Sequence, residues 1–358
     1  MSHAPRRGGR VRPRTLVWNV GLAVALVAAL VVWAVPEDTG RSVVEALVGA
    51  NPLALTAALA LYPLIPLARA LRLRAALSLP MDGRRMLALG RVAAMHSMLA
   101  SFVPMRLGEV SLIWLLHRAV GTPMATGSAL LLVLRLLDLV VVLGAGIVAL
   151  AWLPAARVAL PQAGPVASVA LLAVLGGLAL APALARRLGR LTPLVPGRVG
   201  RFAAALFDSV GTMTPGRLGL LLGWTLPAWG PIFLIAWLCA NAAGPGVGLA
   251  GGIAGGSATA LASVLPVNTV ASVGTFEAAW MLALMPAGLD GATALATGVL
   301  FHAVVLVGSA VLGLLALPGG WRREQPSAGD RPEAGTFAGE PDVSTRAEPG
   351  IGPPTERG

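Results

Sequence analysis

Pro104-Met105-Arg106-Leu107-Gly108-Glu109 interrupts a chain otherwise built of long apolar runs. A helix breaker, a cation, a flexible residue and an anion stand where hydrocarbon would call for unbroken helix. A charge at bilayer depth costs about 2.5–3.5 kcal/mol per residue on insertion scales, so such residues face a cavity or one another. Non-helical backbone at that depth persists only where it is buried in protein or lines water. The hexapeptide therefore predicts a membrane protein whose helices are broken on purpose.

Composition agrees. The chain has 358 residues, 56% hydrophobic and 12% charged, with a mean hydropathy of +0.79. This is the balance of a polytopic, all-α integral membrane protein. All 27 basic residues are Arg, which alongside abundant Ala, Gly and Leu reads as GC-rich codon bias. The net charge of +11 does not call for nucleic acid. The arginines cluster between apolar segments, as the positive-inside rule predicts, and aromatics are too few to stack single strands. The lone cysteine, Cys239, excludes an internal disulfide and reads as a core residue. No His/Cys cluster has metal spacing, so no metal and no cofactor are expected.

Residues 1–15 form a basic arm with Arg6, Arg7, Arg10, Arg12 and Arg14 and no acid. The apolar run 16–35 follows and ends in a poor cleavage site, so it reads as an uncleaved first span with a cytoplasmic N-terminus. The loop 36–51 reads as outside and span 2 covers about 52–68, broken by Pro63 and Pro66. The stretch from Arg69 through Arg91 reads as cytoplasmic by charge. Segments 92–103 and 107–117 flank the hexapeptide and are each too short to cross at 1.5 Å per residue. They fit a re-entrant hairpin, or two tilted crossings of the same parity. Further spans fall at about 124–152, 166–184, 218–241 and 291–317. A second broken region covers 248–287, with a turn from Pro266 to Gly274. About six full spans plus two broken or re-entrant hairpins result, up to eight or more hydrophobic helices, in a membrane domain of residues 16–317. Residues 318–358 carry seven acids against five Arg and read as a disordered cytoplasmic tail.

This count places both termini in the cytoplasm and gives the two breaks opposite orientations. Both carry Pro, then Gly, then Glu: Pro104, Gly108, Glu109 and Pro266, Gly274, Glu277. Two broken regions of opposite orientation mark the binding site of an inverted-repeat transporter; ordinary helix kinks are the alternative.

Candidate site residues follow from charge at depth. Arg106 offers a planar fork of donors suited to phosphate or carboxylate, or it locks the hairpin by pairing with Glu109 or Asp138. Glu109 and Glu277 sit in the first turns of short helices, where the dipole favours a carboxylate. Each either titrates and contacts a headgroup or simply caps its helix. Arg135 and Asp138 share one face of span 3 as a neutralising pair. His96 and His302 either relay protons or pack. Asn268, with Thr269 and Ser272, offers polar contacts at the second turn. The glycines at 251, 252, 255 and 256 read as close helix packing.

At these residues the chain resembles a flippase-like membrane family that includes the transmembrane region of bacterial lysylphosphatidylglycerol synthases. Arg69-Ala-Leu-Arg-Leu-Arg74 is similar to the family's basic stretch, and residues 104–109 to its Pro-x-Arg-x-Gly-Glu signature. Arg135-Leu-Leu-Asp138 is similar to its Arg-x-x-Asp helix, and Pro266 through Glu277 to its Pro…Gly-x-x-Glu signature. The chain departs at Val270-Ala271-Ser272-Val273, where the family has a Pro-Gly-Gly-type turn. No segment outside the spans is large enough for the soluble aminoacyl-transferase domain of the full synthases. The resemblance implies movement of a lipid between the leaflets of the cell membrane, either an aminoacylated phospholipid or a polyprenyl-phosphate-linked sugar. An accessory subunit that positions a lipid- or glycan-modifying enzyme is the alternative reading. A lipid-modifying enzyme is disfavoured, since no Ser/His nucleophile or aspartate-rich motif stands out. The oligomeric state is open.

Overall fold

Five helices among the described residues are long and apolar enough to cross a bilayer. The structure, a computed structural model, describes residues 37–103, 107–159, 161–244, 246–264 and 270–317. The basic arm, the first apolar run, the tail, and the candidates Arg106 and Asn268 lie outside these residues.

The elements are α1 (Glu37–Val48), α2 (Pro52–Leu61), α3 (Leu64–Ala76), α4 (Gly83–Phe102), α5 (Leu107–Val120), α6 (Met124–Ala151) and α7 (Pro154–Ala159). They continue as α8 (Ala163–Gly189), α9 (Gly197–Gly211), α10 (Pro215–Ala240), α11 (Leu249–Ala262), α12 (Thr275–Leu284) and α13 (Gly291–Ala316). Starts follow side-chain chemistry: Asn51 accepts from Leu53 and Ala54 N–H, Asp82 from Arg84 N–H, and Asp290 from Thr293 N–H. Such residues satisfy amide groups that a helix N-terminus leaves unpaired. No strand occurs among the described residues.

Three boundaries correct the expectations from sequence. Residues 37–48, read as loop, form a helix packed on α13. The second span does not stop near residue 68. After the break at Tyr62-Pro63 it runs on as α3 to Ala76 and carries Arg69 and Arg72 into the bundle. Pro66 lies within that helix. The first arm of the hairpin begins at Gly83, and its 20 residues reach about 30 Å at 1.5 Å per residue, so it is not short. The connector after α8 holds the amphipathic α9, packed on α8 and α6.

Contacts fix the direction of each pair. Gly108 meets Leu99, and His96 meets Ser111; residue numbers fall on α4 as they rise on α5, so the two helices are antiparallel. Gly255 meets Trp280 and Gly251 meets Leu284, which makes α11 and α12 a second antiparallel hairpin. Arg72 meets Thr225, and Arg217 meets Ala76, so α3 and α10 are antiparallel as well.

Two units of the same plan emerge: span, hairpin, span over 52–151 and again over 215–316. Their partners are exchanged. The first hairpin packs on α13 of the second unit, and the second hairpin packs on α6 of the first. Because α3 and α10, the leading helices of the two units, run oppositely, the second unit is upside down relative to the first. This is the arrangement that puts a site between two broken regions.

Small residues make these approaches close. Trp280 is fully buried, held between Gly255 and Gly298, with its indole N–H on Thr297 Oγ1 at 3.1 Å. Gly308 lies against the Tyr62 ring, and Gly313 against Met98. Gly108 is the tightest case in the first hairpin, since a Cβ there would overlap the Leu99 carbonyl, which is backbone and cannot swing away. We expect Gly108→Ala to lower stability by about 1–3 kcal/mol, the usual range for overpacking. Thermal unfolding followed by size-exclusion in detergent reads it; an unchanged midpoint would show that the hairpin is loose.

Candidate functional site

Two guanidinium groups enter from α3. Arg69 and Arg72 are three residues apart and so share a face, beside the buried Ile65, Leu73 and Ala76. Facing them, α6 presents Arg135 and Asp138 with the same spacing. Asp138 is the hub. Its Oδ1 accepts from Arg72 Nη1 at 2.5 Å and from Trp229 Nε1 at 3.0 Å, and its Oδ2 accepts from Arg135 Nη1 at 3.2 Å. Arg135 Nη2 donates to Glu109 of α5 and lies 3.4 Å from His96 Nε2. With Nε2 accepting, Nδ1 of His96 holds the hydrogen and donates it to Ser111 Oγ at 3.2 Å. Opposite charges and hydrogen bonds are what make such groups tolerable inside a bundle.

Arg69 differs from its neighbours. Its Nη1 donates to Ser97 Oγ at 2.8 Å, and Ser97 passes its own hydrogen to the Ala93 carbonyl. No carboxylate among the described residues lies within ion-pair reach of Arg69. Among the described residues of this cluster three arginines face two carboxylates, which leaves one positive charge without a described counter-ion.

That charge faces a cavity of about 210 Å³ between the two hairpins. One wall carries Arg69, Ser97, Glu109 and Arg135; the other carries Thr259, Ser263, Phe276 and His302. Val103 just before the first break and Ala271 and Ser272 within the second also line it. His96 and Asp138 sit behind the first wall, in the layer that holds Arg69, Arg72 and Arg135.

The second wall rests on Glu277. Its Oε2 accepts the Gly274 N–H at 2.7 Å, capping α12, and its Oε1 lies 2.6 Å from His302 Nδ1. The His302 ring stacks on Phe276 with centroids 4.2 Å apart. Upstream of the cap, Ala271 (φ 54°), Ser272 (φ 58°) and Gly274 (φ 85°) all have left-handed backbone. Two of these three are not glycine, in the stretch where the sequence departs from a Pro-Gly-Gly turn. Left-handed alanine is uncommon and marks a turn held by its surroundings.

The structure thus sorts the candidates into two clusters on opposite sides of one cavity: Glu109, Arg135, Asp138 and His96 in the first, Glu277 and His302 in the second. Sequence reasoning gave no site role to Arg69, Arg72, Tyr62 or Trp229. The usable signal was the i, i+3 spacing of Arg69 and Arg72 on an apolar helix, matching Arg135 and Asp138. Nor did it foresee the Ser111–His96 pair. That pair lies behind the wall, and a His96 donating to Ser111 cannot act as its base. Among the described residues no group of three or more His, Cys, Asp or Glu side chains could hold a metal.

The sequence model of a family described as Lysylphosphatidylglycerol synthase TM region matches residues 20–313. No curated protein matches the chain.

Proposed function

We propose that this chain, which belongs to the family of lysylphosphatidylglycerol synthase TM regions, binds a membrane lipid by its phosphate-bearing headgroup and moves that headgroup between leaflets. The chain is a multi-pass membrane protein by its family and its helices. The observation that carries the proposal is Arg69, a cation on the cavity wall with a serine for a partner and no carboxylate. A guanidinium fork suits a phosphate, and an anion at that point would complete the charge balance of the cluster.

Transport fits the architecture. Two inverted hairpins meet at one cavity, so rocking one unit against the other opens it to either side in turn. In this reading the hairpins are re-entrant, both termini lie in the cytoplasm, and Glu109, Glu277 and His302 compensate charge during passage. Each elementary charge crossing the membrane potential is worth about 2.3 kcal/mol per 100 mV, so a neutralised headgroup moves more easily than a bare one. A carrier rather than an enzyme is proposed, since the hydroxyls on the wall have no histidine or carboxylate base hydrogen-bonded to them among the described residues.

Arg69→Gln tests this. Glutamine keeps a donor for Ser97 and removes the charge. The variant is expected to fold as wild type, to lose co-purifying phospholipid, and to lose transfer of a fluorescent anionic lipid in proteoliposomes at least tenfold. Wild-type transfer by a folded Arg69→Gln protein would end the proposal.

A further inference from the structure

The cavity wall narrows the class of headgroup further. Every described acid near the cavity is already engaged. Glu109 is held by Arg135, Asp138 by three donors, and Glu277 by His302 and the Gly274 amide. None is left to meet an ammonium group, and the excess charge is positive. A headgroup bearing its own cation would meet like charge there.

Beyond Arg69, Glu109, Arg135 and His302 the wall carries aliphatic side chains and several hydroxyls: Tyr62, Ser101, Thr259 and Ser272. Thr259 gives its hydrogen to carbonyls of its own helix and keeps lone pairs that can accept. The hydroxyls of Ser101 and Ser272 form no hydrogen bond with a described residue, so each offers a donor and an acceptor. Four aromatic rings, Tyr62, Trp229, Phe276 and Phe301, share the wall. An aromatic face is negative at its centre and attracts polarised C–H groups, and the faces of sugars and cyclitols present such groups. The volume, about 210 Å³, is below the ~300–1,000 Å³ of pockets for drug-sized ligands; it admits a headgroup and leaves the acyl or prenyl chains outside.

We infer that the site takes a lipid phosphate carrying an uncharged polyhydroxy group, a glycosyl or inositol ring, in preference to an aminoacylated headgroup. The inference rests on the phosphate reading above. The phosphate sits at Arg69, the ring hydroxyls exchange hydrogen bonds with Ser101, Thr259 and Ser272, and the ring face lies on Phe276 or Trp229.

The test is competition against radiolabelled dihexanoyl phosphatidylinositol on the purified full chain in neutral detergent. The competitors are dihexanoyl phosphatidic acid and dihexanoyl lysylphosphatidylglycerol. Phosphatidylinositol should bind about tenfold or more tighter than phosphatidic acid, which is what one or two net hydrogen bonds supply. The lysylated lipid should bind more weakly than either. Ser101→Ala and Phe276→Leu should each erode the inositol advantage and leave phosphatidic acid unchanged. Equal binding of phosphatidylinositol and phosphatidic acid, both lost in Arg69→Gln, overturns this inference and leaves the phosphate reading standing. Tightest binding of the lysylated lipid overturns it too. Binding of no probe, or binding indifferent to Arg69→Gln, removes the phosphate reading and this inference together.

Discussion

Asp138→Ala is expected to abolish folding or leave a protein that aggregates on leaving the membrane. The carboxylate accepts from Arg72, Arg135 and Trp229, and both members of the Arg72–Asp138 pair are at most a tenth exposed. Truncating it strands Arg72 without an acid, leaves the Trp229 N–H unpaired, and raises the local excess from one positive charge to two. Removing one partner of a buried pair costs about 3–5 kcal/mol, a large part of the stability of most folds. Asp138→Asn keeps acceptors for Trp229 and should be milder. The double variant Arg72→Met/Asp138→Leu removes both charges together and should recover most of the loss, because apolar replacements of whole ion pairs are often neutral. Arg135 retains Glu109 in that background. Fluorescence-detected size-exclusion after a heat ramp reads all three. A double variant as damaged as Asp138→Ala would mean that the charges serve more than each other.

Much of this fold was legible because hydrocarbon imposes simple rules. Length and apolarity place the described spans 124–151, 163–189, 215–240 and 291–316 within a few residues. Pro and Gly place the breaks. Arg135 and Asp138 declare themselves as charges at depth, three apart. Arg69 and Arg72 do not, since a cation at the end of an apolar run obeys the positive-inside rule and reads as loop. Only the tertiary fact that α3 runs antiparallel beside α10 and meets α6 through Arg72 and Asp138 shows Arg72 buried and Arg69 turned to the cavity. The closeness of Gly108 to Leu99 and of Gly308 to Tyr62 is likewise a property of pairs of helices, invisible along one. At the second turn, sequence registered that Val270 to Val273 lacked glycines; the left-handed backbone at Ala271 and Ser272 shows that the chain keeps the turn without them.

The two hairpins hold the cavity by different means. On the first side a network of five charged groups fixes α3, α4, α5 and α6 relative to one another, and Trp229 ties in α10. On the second side one carboxylate joins the start of α12 to α13. Each side therefore has a hub: Asp138, with three donors, on the first, and Glu277, which joins a helix start to its neighbour, on the second.

Glu277→Ala is expected to be the most damaging change at the second wall. It removes the acceptor of the Gly274 N–H, worth about 1 kcal/mol for a helix cap. It also strips the buried His302 of its partner, at about 1–3 kcal/mol for an orphaned polar group. A combined loss of about 2–4 kcal/mol should release α12 from the turn that precedes it, so limited proteolysis should cut between α11 and α12 before any other site. Glu277→Gln keeps one oxygen, which can accept the Gly274 N–H, and places its NH2 as a donor toward His302 Nδ1, so it should lose only about 1 kcal/mol. The pair separates structure from charge: the Gln variant retains the wall but cannot carry a negative charge through transport. Folded Gln protein with wild-type lipid transfer would assign Glu277 to the turn alone. Folded Gln protein with impaired transfer would place its charge in the transport cycle.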